Sequence, residues 1–488
     1  MKAIMVVGTT SHAGKSLLVA ALCRILSRRG WRVAPFKGQN MALNSYVTAN
    51  GGEIGYAQAV QAWAAGIAPL VEMNPILLKP QGDMTSQVII KGRAVANVKA
   101  SQYYENFFDI GWQAIQESLE FLSQEFDLLI CEGAGSPAEI NLKHRDLTNM
   151  RVAKHLNAKT LLVVDIDRGG AFAHVVGTLE LLEPEERALV RGIVINKFRG
   201  QRSILQPGIT WLEERTNIPV AGVIPWIDDV FPAEDSLSLL ERGSNNYKAD
   251  INISVIRLPR ISNFTDFDPL ESEPTVNVKY ISPKDDLGYP DAVIIPGSKT
   301  TISDLIILRQ TGMAEAIQNY IAAGGTVMGI CGGFQMLGQV LIDSDGIEGD
   351  IGQCDGLGLL PLKTLMAPTK ISRQRTVISN YPQVGLPVSG YEIHQGRTQL
   401  LKSDLARPLF DDPGLGFINH AQSVWGTYLH GIFDNGAWRR SWLNHLRQQR
   451  GLQALPTGIS NYREQREALL DSLADTIESH LDLREVLS

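Results

Sequence analysis

The chain has 488 residues, 44% of them hydrophobic and 20% charged, enough interior for two or three domains and without repeats or low-complexity tracts. Its 45 basic and 52 acidic residues leave a net charge of -7 with no lysine or arginine block, which argues against a general nucleic-acid binder, so an anionic ligand must be held by local groups. The four cysteines, Cys23, Cys131, Cys331 and Cys354, form no C-x-x-C pair, which sets aside a disulfide framework or zinc site and fits a reducing cytoplasm.

The opening apolar run is too short for a signal core or a membrane span, so no membrane is expected. Ala3 to Val7 reads as a short buried strand. It enters GTTSHAGKS (Gly8 to Ser16) and then an apolar helical stretch ending at Gly30. Strand, glycine loop, Gly14-Lys15-Ser16 and helix is the order a phosphate cradle requires. Backbone N–H groups wrap the phosphates, Lys15 reaches the outer ones, and the Ser16 hydroxyl is placed to ligate magnesium. Gly8, Thr9, Gly14, Lys15 and Ser16 are therefore candidate nucleotide-binding residues, although the gap between Gly8 and Gly14 is longer than in the common Walker A pattern. The competing reading is a tight strand-to-helix turn.

After a second strand, WRVAPF, come segments rich in amides, hydroxyls and lysines, with Lys37, Gln39, Asn40, Asn44, Ser45, Gln58 and Gln87 among them. Amides donate and accept hydrogen bonds and lysines supply point charges, a mixture suited to a large ligand bearing carboxylates and amides. A polar surface loop is the alternative. FDLLICEGAG gives a buried strand ending at Glu132, where a carboxylate beside a phosphate loop can hold magnesium, directly or through water. Two more strands end at Asp165 and at Asn196-Lys197; the Asn196 amide could read a nucleotide base edge. IPVAGVIPWID closes the series. Apolar strands alternating with helical stretches predict a doubly wound parallel α/β domain over residues 1–230.

Residues 231–250 are acidic, polar and contain GSNN, a linker by composition. A second α/β domain is expected over 251–440, and a helical tail over 441–488. RLPRISNFTDFDPL (Arg257 to Leu270) is too polar for core and reads as loop or interface. YPDAVIIPGSK is a strand followed by a glycine loop. Further on, GICGGFQMLG (Gly329 to Gly338) places Cys331 in a sharp strand-to-helix turn, a nucleophile elbow. There the Gly332 amide can face a developing oxyanion, with Gly297 and Ser298 of PGSK supplying the second half of the hole. A thiol at a helix N-terminus is biased toward thiolate; a small buried cysteine is the bland alternative. GTYLHGIF puts His430 at a strand end, positioned to take and return a proton. In the tail, Leu469, Leu470, Leu473 and Ile477 share one helical face, which should pack on the body or on a neighbouring subunit.

The first loop resembles that of dethiobiotin synthetase, and PGSK, GICGGFQMLG and GTYLHG together resemble a class I glutamine amidotransferase domain. Such domains usually carry a glutamate two residues after the histidine, where this chain has Ile432. Glu392, Asp434 or a backbone carbonyl is left to orient His430, unless the site is a dyad; the missing glutamate is itself a feature of the cobalamin-pathway amidotransferases. With QNMALNS, NPILLKPQGDMTSQV, CEGAGSPAEINL, RLPRISNFTDF and GYEIHQG, the whole chain is similar to the cobyric acid synthase family. That resemblance implies ATP and Mg2+, with no tightly bound cofactor. It also implies small-molecule partners: glutamine and a corrin polycarboxylate amidated at its b, d, e and g positions. The a,c-diamide synthases, CTP synthase-like enzymes and an ATP-dependent partition or scaffold protein with an inactive amidotransferase fold are the alternatives.

Overall fold

A computed structural model describes residues 2–82, 84–227, 249–349 and 351–487. Of the expected linker, 231–248 fall outside the described residues.

The apolar runs of the first half become a six-stranded sheet in the order Val220–Pro225, Val190–Phe198, Lys159–Asp165, Lys2–Gly8, Leu128–Glu132 and Val33–Phe36. Every pairing is parallel. Strands buried on both faces need apolar side chains throughout, which is why they read as continuous runs rather than as alternation. The order reverses beside Lys2–Gly8, so the loop after that strand opens into the crevice where ligands collect in such sheets. A second, four-stranded sheet pairs Gln39–Met41, Ile76–Gly82, Thr85–Ile90 and Arg93–Lys99. Much of the amide-rich sequence belongs to this sheet rather than to loops.

The second half begins at Ile251–Ile256 and builds a seven-stranded sheet. Val276–Ile281, Ile251–Ile256, Ala292–Ile295, Val327–Ile330 and Val424–Thr427 run parallel, and Gly416–Asn419 and Ala406–Pro408 add an antiparallel edge. A long hairpin, Leu362–Ile378 with Pro387–Leu400, lies over it and receives the short strand Leu429–His430. Each half has its own core.

The tail returns to the first half. Helix Tyr462–Glu478 lies on helix Lys15–Arg28, and Leu470, Leu473 and Ile477 join Leu18, Leu22 and Ile25 in one cluster. Among the described residues, no helix is long and apolar enough to cross a membrane.

Candidate active site

The strand Val327–Ile330 is fully buried at the middle of its sheet, and helix Gly332–Met336 starts immediately beyond it. Cys331 takes the turn between them at φ 50, ψ -106, a left-handed backbone that costs a non-glycine residue roughly 1–3 kcal/mol and persists where surrounding structure enforces it. Its amide donates to Thr427 O at 2.8 Å, and its thiol faces the Ile393 carbonyl at 3.6 Å. A Cβ on Gly332 would lie 2.8 Å from Ser298 N, so the elbow and the strand Gly297–Ser298 meet backbone to backbone. On the other side of that strand, a Cβ on Gly297 would lie 3.5 Å from His430 Cε1. The Ser298 hydroxyl donates to Asp304 at 2.7 Å, which leaves an oxyanion role to backbone N–H groups.

His430 is 1% exposed. Its Nδ1 lies 2.7 Å from Asp266 Oδ2, while the other oxygen of that carboxylate accepts the Gly431 N–H at 2.8 Å. Burial alone would push the imidazole pKa down. The Asp266 charge and hydrogen bond, together with the hydrogen bond to Cys331, reverse this and raise it to about 10. The Tyr391 ring stacks on the imidazole with centroids 5.4 Å apart.

The orienting group is therefore none of the three residues or groups expected. Glu392 is engaged by His394 Nε2 at 3.1 Å and Arg373 Nε at 2.6 Å. Asp434 is half-buried, and desolvation raises its pKa to about 6. Asp266 belongs to the polar segment read as loop or interface, 164 residues upstream of its partner. The local signal was an aspartate held between two phenylalanines, in FTDF; only tertiary pairing gives it meaning.

At the phosphate loop, Lys15 Nζ donates to Thr10 O and Gly135 O, both at 3.1 Å. Gly14 sits at φ 98, and a Cβ there would lie 2.0 Å from Asn196 Nδ2. Asn196, expected to read a base edge, instead donates this nitrogen to Ala13 O at 2.8 Å and braces the loop. A Cβ on Gly8 would lie 3.0 Å from Lys15 Nζ, so the lysine folds back over the loop's first residue. Ser16 Oγ donates to Glu132 Oε1 at 2.8 Å. Glu132 also accepts from Lys37 at 2.9 Å and from Gln61 at 2.6 Å. Lys37 thus compensates a buried carboxylate.

The donors here are hard oxygens, the kind that bind magnesium together with phosphates and water. Thr9 Oγ1 is buried at the same loop without a partner among the described residues, a polar atom suited to a phosphate oxygen. Among the described residues no cluster of three or more His, Cys, Asp or Glu could hold a metal unaided, so ligands beyond Ser16 and Glu132 would have to come from phosphate and water.

The remaining polar candidates divide. Gln39 accepts from Tyr103 at 2.6 Å, and Asn40 donates to Gln58 at 3.0 Å, leaving Gln58 Nε2 buried without a partner among the described residues. Asn44, Ser45 and Gln87 face the second half of the chain instead. Asn44 Oδ1 accepts Phe264 N, the Ser45 carbonyl accepts Asn263 and Tyr391, and Gln87 Oε1 accepts Lys299 Nζ at 3.2 Å. These three therefore sit in the seam between the halves.

Residues 4–239 match the CobQ/CobB/MinD/ParA nucleotide binding domain, and residues 252–438 the CobB/CobQ-like glutamine amidotransferase domain. Proteins named cobyric acid synthase are similar over the full length: 73% identity in Trichormus variabilis, covering 99% of both chains, and 73% in Nostoc punctiforme, covering 100% of both. The chain belongs to the cobyric acid synthase family. A third member, from Trichodesmium erythraeum, is 72% identical, again over 100% of both chains. The two family matches fall on the two halves separately, so the phosphate loop lies in the nucleotide-binding part and Cys331, His430 and Asp266 in the amidotransferase part.

Proposed function

We propose that this chain uses glutamine and ATP to amidate the b, d, e and g carboxylates of cobyrinic acid a,c-diamide, adenosylated or not, giving cobyric acid. The observation that carries this is a Cys331–His430–Asp266 constellation and a phosphate loop in one chain that resembles cobyric acid synthases from end to end.

In this reading, Cys331 attacks the side-chain amide of glutamine as thiolate while His430 holds the proton, and backbone N–H groups of Gly332 and the Gly297–Ser298 strand face the oxyanion. His430 returns its proton to the departing ammonia, and water then releases glutamate from the thioester. Asp266 keeps Nδ1 protonated, so the other nitrogen is the one that exchanges protons with sulfur. In the first half, Gly8, Thr9, Gly14 and Lys15 hold the phosphates of ATP. Ser16 and Glu132 would hold magnesium, which when bound offsets phosphate charge. A carboxylate is a poor electrophile, so it is first converted to an acyl phosphate; ammonia displaces phosphate to leave the amide. Asn40 and Gln58, with an amide donor unspent, are the candidate contacts for the acid substrate.

The test is the mass of cobyrinic acid a,c-diamide after incubation with enzyme, ATP, magnesium and glutamine. Successive exchanges of hydroxyl for amino at all free propionates support the reading; an unchanged mass, with activity on another acid, removes it. Cys331→Ala should abolish glutamine hydrolysis and glutamine-driven amidation while ammonia-driven amidation survives. Glutamine hydrolysis by that variant would show that the nucleophile lies elsewhere.

A further inference from the structure

The turn that follows strand Ile261–Ser262 is bonded to both halves of the chain. Asn263 adopts a left-handed backbone at φ 52 and sends its amide nitrogen to the Ser45 carbonyl and to the Tyr391 hydroxyl, each at 2.9 Å. Tyr391 donates in turn to the same Ser45 carbonyl at 3.0 Å. The next backbone N–H, that of Phe264, donates to Asn44 Oδ1 at 3.0 Å. The turn then closes with Asp266 N on Asn263 O at 3.0 Å, and Asp266 is the carboxylate that holds His430.

Both contacts that fix the imidazole therefore lead to one place in the first half. The Asp266 carboxylate is reached through Asn263, and the ring stacked on His430 is Tyr391, whose hydroxyl rests on Ser45. Asn44, Ser45 and Asn263 are all at most 2% exposed, so these bonds are shielded from competing water. A second tie lies beside the first: Lys299, directly after the strand Gly297–Ser298, donates across the seam to Gln87. At the other end of this line, Lys37 is bonded to Glu132, and the short run from Lys37 to Asn44 joins the Ser16–Glu132 pair to the clasp.

We propose that Asn263 is a positioning residue through which the Asn44–Ser45 segment governs the placement of Asp266 and His430, so that glutamine hydrolysis answers to occupancy of the phosphate loop. This rests on the glutaminase reading above. A contact that only glued the halves together would move glutamine and ammonia reactions alike, or neither. A positioning contact moves the glutamine reaction alone.

The test uses the full chain and measures kcat and KM for glutamine hydrolysis with and without a non-hydrolysable ATP analogue and magnesium. Asn263→Gly keeps the left-handed backbone at no steric cost and removes the amide. Asn263→Asp keeps the side-chain shape but sets a carboxylate against the Ser45 carbonyl. In the wild type the analogue changes kcat/KM. In both variants that response disappears, kcat for glutamine falls about tenfold with KM little changed, as expected for a misplaced base, and ammonia-driven amidation stays at the wild-type rate. A response in Asn263→Gly equal to that of the wild type overturns the proposal, as does a wild type indifferent to the analogue. A wild type that hydrolyses no glutamine at all overturns the parent reading as well, which tells the two failures apart.

Discussion

His430 keeps its proton at neutral pH although burial opposes it, and the cause is the single carboxylate of Asp266 at 2.7 Å with Cys331 on the ring's other side. Asp266→Asn preserves the shape but can hold the wrong tautomer, so kcat for glutamine should fall on the order of 10³-fold while ammonia-driven amidation persists. A fall of less than twofold would remove Asp266 from the role. The same pair makes stability depend on pH. The imidazole pKa is about 10 in the folded chain against 6.5 ordinarily, so the folded state retains a proton that the unfolded state releases. The stabilisation is complete below pH 6.5 and is lost as pH rises through about 10. Thermal melts should show the wild type declining over that interval more steeply than Asp266→Asn; parallel declines would refute the assignment. Cys331 and His430 were legible because each sits in a local pattern, a glycine-flanked elbow and an apolar strand end. Asp266 was not, because nothing within its own segment reveals that it meets a histidine 164 residues later.

The same divide runs through the elements. The parallel strands were readable since burial on both faces forces unbroken apolar runs such as AIMVV, Ala3 to Val7, and LLVV, Leu161 to Val164. The four-stranded sheet was hidden: ILLKPQG and TSQVII mix buried apolar residues with Lys79 and Gln87, which are buried as well because Lys79 bonds to Ser45 and Gln87 to Lys299, partners that periodicity does not reveal. For the tail, periodicity showed a stripe but not what it covers; the structure seats Leu470, Leu473 and Ile477 on the first half, with Leu469 only partly covered. The helix is also ringed by ion pairs, Arg24 with Glu467 and Asp471, Arg28 with Asp471 and Asp475, and Arg29 with Glu478. Exposed pairs of this kind contribute at most about 1 kcal/mol each. The apolar stripe dominates. Leu473, 4% exposed, should lose about 2–5 kcal/mol on conversion to alanine, read as a lower denaturant midpoint, whereas Arg28→Ala should shift it little. A larger effect from Arg28→Ala than from Leu473→Ala would mean that charge, not packing, seats the tail.

At the scale of the whole molecule, the seam carries buried charge beside a small apolar cluster of Val47, Tyr391 and Ile393, whereas the two cores are apolar. Glu53, 2% exposed, holds two lysines, one from each half: Lys79 on one oxygen and Lys370 at 2.5 Å on the other. Burial alone would raise the Glu53 pKa, but Lys370 and Lys79 hold it far below the usual carboxylate range, so the cluster stays charged through mild acid. Lys79 also donates to Ser45 Oγ at 2.8 Å, which connects this charge cluster to the clasp on Asn263. A buried ion cluster is weak evidence for net stability, because desolvation offsets most of the attraction; breaking one is another matter. Glu53→Gln leaves two ammonium groups facing each other in the seam and should cost about 3–5 kcal/mol. Since the loss falls between the halves rather than within either core, it should appear as earlier separation of two unfolding transitions, with the core-only variant Leu473→Ala shifting the first half alone. The decisive measurement is the double variant Glu53→Gln with Lys370→Met. Removing the second charge relieves the repulsion, so the pair should be less destabilised than Glu53→Gln by itself, a coupling that two independent packing defects would not show. Simple additivity of the two substitutions would mean that the seam is held by shape, and that the charges there serve something other than docking.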